Sequence, residues 1–470
     1  MANVNTPGIT PRLVIAGLSG GAGKTLVSLG LLLSAQRRGV RVGAFKKGPD
    51  YIDAAWLSWA AGGPAHNLDT FLMGTEGAVA SFTLNSMPGA LNVIEGNRGL
   101  YDGFDARGTH STAELAKALA APVVLVVDAT KVTRTAAAMV LGCQSLDPGV
   151  KIVGVILNQV SGSRHEKVLR EAIEITCEIP VLGALPRISN TILPERHLGL
   201  VVPEEFESRE ALRTSLVELV EGRLEFDKLW SLSCNAPNLE PSVRPRQALR
   251  DGTGLKIGYL RDSAFTFYYP ENLEALSGAG AELVPISALS AASLPDDLDA
   301  LYMGGGFPET HGEALAANVT FLASVRCAAE RGLPIYAECG GLMLLARAIL
   351  WQGRRYSMAG VLPFEVQVSA KPQGHGYTEL CVDTENAFFP VGSILRGHEF
   401  HYSGILPGTE LPRAACGVRR GTGCGAGRDG VVVGNVWASY THLHALATPE
   451  WAVGLLHAAR RFAQHEVAAA

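Results

Sequence analysis

The chain carries the sequence GLSGGAGKT at residues 17–25, between an apolar run at 13–16 and a helical pattern that continues to residue 33. In a strand–loop–helix of this kind, loop amides point at phosphate oxygens and the helix dipole assists them. Lys24 is expected to reach the terminal phosphates, and the Thr25 hydroxyl to hold Mg²⁺. The alternative is a glycine-rich turn that binds nothing, which the GKT sequence in this context disfavours. The residues predicted to bind ATP here are Gly20, Gly21, Gly23, Lys24 and Thr25.

Four strand-like runs follow the loop and extend the pattern to a sheet. They lie at residues 40–45, 91–94, 123–127 and 152–157, with helical patterns between them. Short apolar strands that alternate with helices are typical of a parallel sheet covered on both faces. The first half of the chain is therefore predicted to be a doubly wound α/β domain.

The composition indicates a globular protein of several domains. At about 100–200 residues per domain, 470 residues predict two to four domains. The 53 glycines suit α/β domains, which need tight turns and close backbone approaches. Lys+Arg 40 against Asp+Glu 45 give a net charge of −5, so we expect no nucleic-acid partner.

Cysteine usage and apolar runs bear on the location of the protein. The eight cysteines form no CxxC pair, which indicates reduced thiols rather than a zinc ribbon or a disulfide scaffold. The first residues lack the features of a signal peptide, and no run approaches the roughly 18 apolar residues that span a bilayer. We expect a cytoplasmic protein without a membrane partner. A homodimer is compatible with the sequence, which does not decide the oligomeric state.

A second domain is predicted after a proline-containing segment. Residues 235–254 hold three prolines and no apolar period, which is typical of a linker. Beyond them, runs at 256–260, 301–303 and 333–337 repeat the strand–loop–helix order. We predict a first domain at 1–234, a linker at 235–254 and a second domain at 255–470. Both domains are expected to be doubly wound, with mostly parallel sheets.

Acidic loops follow two strands of the first domain. FKKGPDYID occupies residues 45–53 and IEGNRGLYDG occupies 94–103. Ligands of parallel sheets collect at the carboxyl ends of the strands, so we expect Asp50, Glu95 and Asp102 to face the phosphates. Such carboxylates complete a Mg²⁺ shell together with Thr25. For each acid taken alone, a solvated loop residue is the alternative.

Two lysines and one asparagine of the first domain are harder to interpret. Lys46 and Lys47 either neutralise an anionic substrate or lie on the surface. Asn158 follows a strand, and its paired donor and acceptor suit the adenine edge of ATP. A turn-capping asparagine explains Asn158 equally well.

The second domain contains a cysteine in a strand–turn–helix elbow, within YAECGGLMLL at 336–345. An elbow exposes the nucleophile and brings its thiolate to the positive end of a helix. GGGFPE at 304–309 offers free amides, so Gly306 and Gly340 are candidates for an oxyanion hole. ASYTHLHAL at 438–446 supplies His442 as a base for Cys339. A structural histidine and a buried bystander cysteine are the alternatives for the two residues taken singly.

The two halves resemble known families. In the phosphate loop Leu18 stands where a glycine is usual, and Gly17 precedes it, which resembles the dethiobiotin-synthetase-like P-loop proteins. The cysteine half resembles class I glutamine amidotransferases of the cobyric-acid-synthase type, in which the base follows a tyrosine with one residue between. Tyr440 and His442 fit that pattern. Many class I enzymes place a glutamate two residues after the base, where this chain has His444.

Together, in this order, the halves resemble the cobyrinic acid a,c-diamide synthase family over nearly the whole chain. The motifs GPDYID, EGNRGLYDG, GGGFPE, AECGGLM, GHGY, GHEFHYS and ASYTHLH carry the resemblance. It implies a ligase that uses ATP, Mg²⁺ and glutamine to amidate the a and c acetates of cobyrinic acid through acyl-phosphates. It also implies that Asp50, Tyr51 and Asp102 contact the substrate, and that Thr25, Asp50 and Glu95 contact the metal.

Alternatives remain within and outside this family. The same architecture amidates hydrogenobyrinic acid or a nickel sirohydrochlorin. A nucleotide-switch ATPase with a degenerate amidotransferase domain is less well supported, because Ser19 lies where those ATPases carry a signature lysine. The histidines of GHGY and GHEFHYS either line a macrocycle pocket or pack within the domain, and we favour packing or a role at an interface. They are His375, His398 and His401.

Overall fold

The computed structural model describes residues 10–188, 195–196, 199–239, 251–406 and 412–469. The chain divides into two compact units, with the boundary between residues 244 and 245. Residues 240–250 of the expected linker lie outside the described ranges, so the bounds 1–234, 235–254 and 255–470 stay a prediction. Within the described ranges, no helix is both long enough and apolar enough to cross a membrane.

The first unit is built on a parallel sheet. Its strands are β1 (Arg12–Gly17), β2 (Val42–Lys47), β3 (Ala65–Leu68), β4 (Leu91–Glu95), β5 (Val123–Asp128), β6 (Ile152–Val160), β7 (Val181–Pro186), β8 (Glu195–Arg196) and β9 (Gly199–Leu200). Its helices are α1 (Lys24–Arg37), α2 (Tyr51–Ala61), α3 (Gly74–Asn85), α4 (Thr112–Ala118), α5 (Thr135–Leu146), α6 (Ser163–Cys177), α7 (Arg209–Val220) and α8 (Phe226–Cys234).

The strand order places the phosphate loop at the middle of the sheet. The order is β3-β2-β4-β1-β5-β6-β7, and every pairing in this sheet is parallel. The loops after β1 and β4 therefore leave the same edge side by side, where the order reverses and ligands bind in such folds. The expected α/β class and parallel first sheet are confirmed.

Helix α1 is held in the core on nearly all sides. Its apolar residues surround the axis, which is the pattern of a buried helix rather than a surface helix. Gly30 allows α7 to approach, because a Cβ there would lie 2.4 Å from Cγ1 of Val220. This burial fixes the start of α1, and with it the phosphate loop.

The sequence interpretation missed β3 and β7. In β3 the polar residues His66 and Asn67 interrupt the apolar pattern, yet both are buried. The amide of Asn67 donates to the carbonyl oxygens of Gly48 (2.7 Å) and Asp50 (2.9 Å). A satisfied polar side chain is tolerated in a buried strand, but apolar periodicity does not reveal it.

The second unit has a mixed sheet as its centre. Its strands are β10 (Lys256–Leu260), β11 (Glu282–Ile286), β12 (Ala300–Met303), β13 (Ile335–Glu338), β14 (Ala348–Trp351), β15 (Arg354–Ser357), β16 (Val366–Val368), β17 (Gly374–Val382), β18 (Ile394–His401), β19 (Ser403–Ile405), β20 (Ala414–Arg420), β21 (Arg428–Val433), β22 (Val436–Ser439) and β23 (His442–Leu443). Its helices are α9 (Pro270–Gly278), α10 (Gly312–Ala317), α11 (Val319–Glu330), α12 (Gly340–Leu345) and α13 (Glu450–Ala469).

The mixed sheet joins a parallel part to an antiparallel part. The order is β11-β10-β12-β13-β22-β21-β20-β17-β18-β23, and the first five strands in this order are parallel. From β22 onward each pairing is antiparallel. The antiparallel part contains most of the short segments after residue 361, whereas β16 and β19 join β14 and β15 in a separate four-stranded sheet of order β15-β14-β16-β19. The antiparallel part also returns the chain to β13, so that residues about 100 positions apart in sequence become neighbours.

Candidate active site

The phosphate loop of the first unit is braced from one side and open on the other. The amide of Asn158 donates to the carbonyl oxygen of Ala22 at 3.0 Å, and a Cβ on Gly23 would lie 2.2 Å from the same amide nitrogen. A Cβ on Gly20 or Gly21 would meet nothing within 4 Å. The loop therefore offers an unobstructed face, and Asn158 holds its far side. The Oδ1 atom of Asn158 is buried and has no hydrogen-bond partner among the described residues.

Lys24 bends back over this loop. Its Nζ donates to the carbonyl oxygens of Ser19 (3.1 Å) and Arg98 (2.7 Å), so it bridges the loops after β1 and β4. Burial lowers the pKa of Lys24, and the nearby charge of Lys46 lowers it further. Both acceptors are neutral, so an anionic phosphate oxygen would be a stronger partner for this ammonium group.

A buried lysine organises the acids at the ends of β2 and β4. Nζ of Lys46 lies 2.6 Å from Oδ2 of Asp53 and 2.7 Å from Oε1 of Glu95. The Thr25 hydroxyl donates to the same Glu95 oxygen at 3.0 Å. Burial alone would lower the pKa of Lys46, but the two carboxylates outweigh it and raise the pKa. Lys46 and Lys47 are both buried, so the surface interpretation of this pair was wrong.

Glu95 lies at the centre of this cluster and is fully buried. Its Oε2 atom has no hydrogen-bond partner among the described residues. Burial raises the pKa of Glu95 to about 7, although Lys46 opposes the rise. A carboxylate with one orphaned oxygen beside a threonine hydroxyl fits a hard cation.

The remaining acids of the two loops have structural partners of their own. Asp50 caps α2, because its Oδ1 accepts from the Asp53 amide at 2.9 Å. Burial, and then the Asp53 carboxylate, raises the pKa of Asp50 to about 6. Asp102 is exposed, and its Oδ2 accepts from the Gly99 amide at 2.8 Å. Tyr51 is partly buried at the first position of α2.

Asp53 was missed by the sequence interpretation. It follows Asp50 by three residues, in the first turn of a helix that begins at a strand end, and this spacing is the signal that would have identified it. Its carboxylate contacts Lys46 and is partly exposed. The cluster therefore includes an acid that lies in the quoted motif FKKGPDYID but was not predicted as a site residue.

In the second unit Cys339 occupies a strained elbow between β13 and α12. Its φ is +48° and its ψ is −97°, a conformation that costs free energy for a residue with a side chain. The Cys339 amide donates to the carbonyl oxygen of Ser439 at 2.8 Å, which ties the elbow to the end of β22. The side chain is 5% exposed, so the elbow is present but does not expose the nucleophile as expected.

The surroundings of Cys339 favour the protonated thiol over the thiolate. Burial, and then the Glu309 carboxylate, raises the pKa of Cys339 well above its ordinary value. A hydrogen bond from the Gly340 amide partly offsets the rise. Deprotonation therefore needs a base at the site.

The glycine loop after β12 lies against the elbow. A Cβ on Gly340 would lie 3.0 Å from the Gly306 nitrogen, which brings both proposed oxyanion donors together. A Cβ on Gly306 would lie 2.1 Å from the carbonyl oxygen of Ala264, so only glycine fits there. The Gly304 amide donates to the Tyr268 hydroxyl at 2.8 Å and anchors the loop.

His442 lies next to the same loop. It is buried in β23, and a Cβ on Gly305 would lie 2.6 Å from its Cε1 and 3.3 Å from its Nε2. Asp429 holds the preceding turn, because its carboxylate accepts from the amides of Tyr440 (3.1 Å) and Thr441 (3.2 Å). The structure thus brings the elbow, the glycine loop and His442 together.

The three further histidines of the motifs have mostly packing contacts. His398 stacks on His442 with ring centroids 5.1 Å apart, and burial holds the pKa of His398 well below its usual range. His401 stacks on Tyr440 at 3.8 Å. His375 is exposed and contacts Phe400.

Two family models match the chain, one in each unit. Residues 13–201 match the CobQ/CobB/MinD/ParA nucleotide binding domain, and residues 256–450 match the CobB/CobQ-like glutamine amidotransferase domain. The first range contains the phosphate loop, and the second contains Cys339 and His442.

Curated relatives match nearly the whole chain. The cobyrinate a,c-diamide synthase of Magnetococcus marinus is 44% identical over 447 residues, which cover 94% of this chain and 96% of the relative. The chain belongs to the cobyrinate a,c-diamide synthase family. The family member from Dehalococcoides mccartyi is 39% identical, with 96% of this chain and 99% of the relative covered. The one from Syntrophotalea carbinolica is 41% identical, with 93% and 96% covered.

Membership in this family makes the chain an ATP-dependent ligase with glutamine as the amido donor. It confirms the resemblance drawn from the motifs. The similarity spans both units, which argues against a nucleotide switch that carries a degenerate amidotransferase domain.

Proposed function

We propose that the chain amidates the a and c acetate carboxylates of cobyrinate, with ATP and glutamine as co-substrates. One observation carries the proposal: the chain matches synthases of that name across both units, and each unit retains a set of residues suited to one half-reaction. Asp50, Tyr51 and Asp102 are the proposed substrate contacts at the phosphate loop.

The first unit would activate the carboxylate. A carboxylate oxygen of the substrate attacks the γ-phosphorus of ATP, ADP leaves, and an acyl-phosphate forms. Lys24 stabilises the charge that develops on the transferred group, and the amides of Gly20, Gly21 and Gly23 bind the other phosphates. Ammonia then displaces phosphate from the acyl carbon. We also propose that the orphaned Oδ1 of Asn158 accepts from the adenine amino group, while its amide braces the loop.

Mg²⁺ fits the residues beside this loop. Thr25 and the free oxygen of Glu95 would hold it, with Asp50 as a further candidate. Across the described ranges, no three His, Cys, Asp or Glu side chains form a metal cluster. A cation with few protein ligands suits magnesium, which retains waters and takes phosphate oxygens. When bound, the ion neutralises negative charge on the phosphates.

The second unit would release ammonia from glutamine. His442 takes the thiol proton of Cys339, and the sulfur attacks the side-chain amide carbon of glutamine. The amides of Gly306 and Gly340 stabilise the oxyanion. His442 returns the proton to the leaving ammonia, and water then hydrolyses the thioester to glutamate.

The proposed function is tested by supplying the nitrogen in two forms. Cys339→Ala should abolish glutamine-dependent amidation and retain amidation with ammonium chloride, because the first unit keeps its own site. Glutamine-dependent turnover that survives the substitution would refute the thioester step. Mass spectrometry of parallel incubations with cobyrinate, hydrogenobyrinate and nickel sirohydrochlorin identifies the substrate, and a monoamide end product from cobyrinate contradicts the diamide proposal.

A further inference from the structure

The residue two positions after His442 is engaged elsewhere. His444 is fully buried, and its Nδ1 accepts from the Leu446 amide at 3.1 Å. Its Nε2 lies 3.4 Å from Oε2 of Glu271, a buried carboxylate on α9. His444 therefore packs the segment after β23 against α9. It does not take the place of the glutamate that many class I enzymes have beside the base.

A different carboxylate faces His442. Oε2 of Glu338 lies 3.4 Å from Nδ1 of His442, and the Glu338 side chain is fully buried. Oε1 of Glu338 accepts from the Leu443 amide at 3.0 Å, and Oε2 accepts from the Tyr302 hydroxyl at 3.2 Å. A hydrogen bond from the residue that follows His442 locks this carboxylate beside the imidazole.

The strand register explains why this contact exists. Glu338 ends β13 and pairs with Ser439 of the neighbouring parallel strand β22. The chain then turns sharply at Cys339, so two successive residues reach the same site. A Cβ on Gly305 would lie closest to Cε1 and then Nε2 of the His442 ring, whereas Glu338 contacts Nδ1. The imidazole thus lies between the oxyanion loop and a buried carboxylate.

His398, Glu309 and Glu399 are further titratable groups near Cys339 and His442. His398 of β18 stacks on His442, but it stays neutral because burial disfavours its charged form. Glu309, Glu338 and Glu399 all raise the pKa of the Cys339 thiol, so the choice of Glu338 rests on its 3.4 Å contact with Nδ1 of His442 and not on its effect on the thiol.

We propose that Glu338 is the positioning residue of the glutaminase site and takes the place of the acid expected after the base. It holds Nδ1–H of His442, so that Nε2 points toward the Cys339 thiol. When Nε2 takes the thiol proton, the Glu338 carboxylate stabilises the imidazolium, and the 3.4 Å contact shortens as the charge forms. The proton leaves with ammonia. This inference rests on the proposed glutaminase function.

The test compares Glu338→Gln with Glu271→Gln in the full chain. Glutamine at position 338 keeps an oxygen for the Leu443 amide but removes the charge. We expect kcat/KM for glutamine hydrolysis to fall at least about 100-fold, mainly in kcat. Glu271→Gln should change it less than about threefold, because that acid pairs with His444. If Glu338→Gln retains ammonia-dependent amidation, the first unit of the variant is intact.

The pH profile separates positioning from a structural role. Loss of the carboxylate destabilises the imidazolium form of the base, so the acidic limb of kcat/KM should move to lower pH in Glu338→Gln and stay in place in Glu271→Gln. A wild-type rate in Glu338→Gln, a reduced rate with an unmoved limb, or a larger loss in Glu271→Gln would overturn the inference. A wild-type protein without glutaminase activity would instead refute the proposed function.

A second variant covers the case in which Glu338→Gln does not fold. Glu338→Asp keeps the charge and withdraws it by one methylene. We expect kcat to fall at least about tenfold while the acidic limb stays near its wild-type position. An unchanged kcat in this variant would overturn the inference as well.

Discussion

Gly305→Ala tests whether the oxyanion loop and His442 form one catalytic unit. An added Cβ would lie 2.6 Å from Cε1 of His442, where ordinary contact begins near 3.4 Å, so something must move by about 0.8 Å. The loop cannot yield easily, because Gly305 accepts from the Phe267 amide at 3.0 Å and Gly304 accepts from the Gly341 amide at 3.1 Å. A displacement of roughly 1 Å at a catalytic group costs about 100-fold in rate. We therefore expect glutaminase kcat to fall about 100-fold.

The assay follows glutamate release and ammonia-dependent amidation in the same preparation. Gly278→Ala is the matched control, since it lies exposed at the end of α9 and a Cβ there meets nothing within 4 Å. The control should keep both activities. The reasoning is refuted if Gly305→Ala hydrolyses glutamine within a few-fold of wild type. It is also refuted if ammonia-dependent amidation falls equally, because the damage would then not be confined to His442.

Three further predictions concern the first unit. Lys24→Ala should abolish amidation with either nitrogen source and leave glutaminase activity measurable, and retained amidation would disprove the ATP assignment. Lys46→Ala leaves the buried Glu95 and its neighbour Asp53 uncompensated, so urea denaturation at a pH above the Glu95 pKa of about 7 should show a loss of about 3–5 kcal/mol. The exposed ion pair of Lys256 serves as its control, and Lys256→Ala should give no measurable change. The free energy of unfolding should fall as pH rises from 4.5 to about 7, because folded Glu95 keeps its proton up to a pKa of about 7 while the unfolded chain releases it near 4.5. Glu95→Gln should remove that part of the slope, measured without nucleotide or Mg²⁺, and an unchanged slope would contradict the assignment.

Local motifs predicted much of the fold and part of the site. The apolar runs before Gly17 and Cys339 identified β1 and β13, because a buried parallel strand needs continuous apolar side chains. The same reasoning missed β3, whose buried Asn67 is satisfied by backbone carbonyls from another loop. It also described the second sheet as mostly parallel, whereas half of that sheet is an antiparallel extension from β22. Strand direction depends on how the chain returns, which composition does not record.

The pairing of side chains across elements lay beyond the sequence. From the sequence, Lys46 was one of two adjacent lysines that either neutralise an anionic substrate or lie on the surface. The fold encloses it between Asp53 and Glu95. Glu338 was present in the AECGG motif, but nothing local distinguishes it from a residue that supports the elbow. Its contact with His442 arises from the register of β13 and β22, which joins segments about 100 residues apart.

The sequence by itself determined the two chemistries of this protein. A phosphate loop and a nucleophile elbow are local, since their backbone geometry depends on a few adjacent residues, chiefly glycines, between a strand and a helix. Only the tertiary structure decided which charged groups serve them. Burial removes water as a partner, so a buried ionisable side chain depends on whatever group the fold brings within reach. Lys46 is the group that the fold brings to Glu95, and the carboxylate of Glu338 is the group that it brings to Nδ1 of His442.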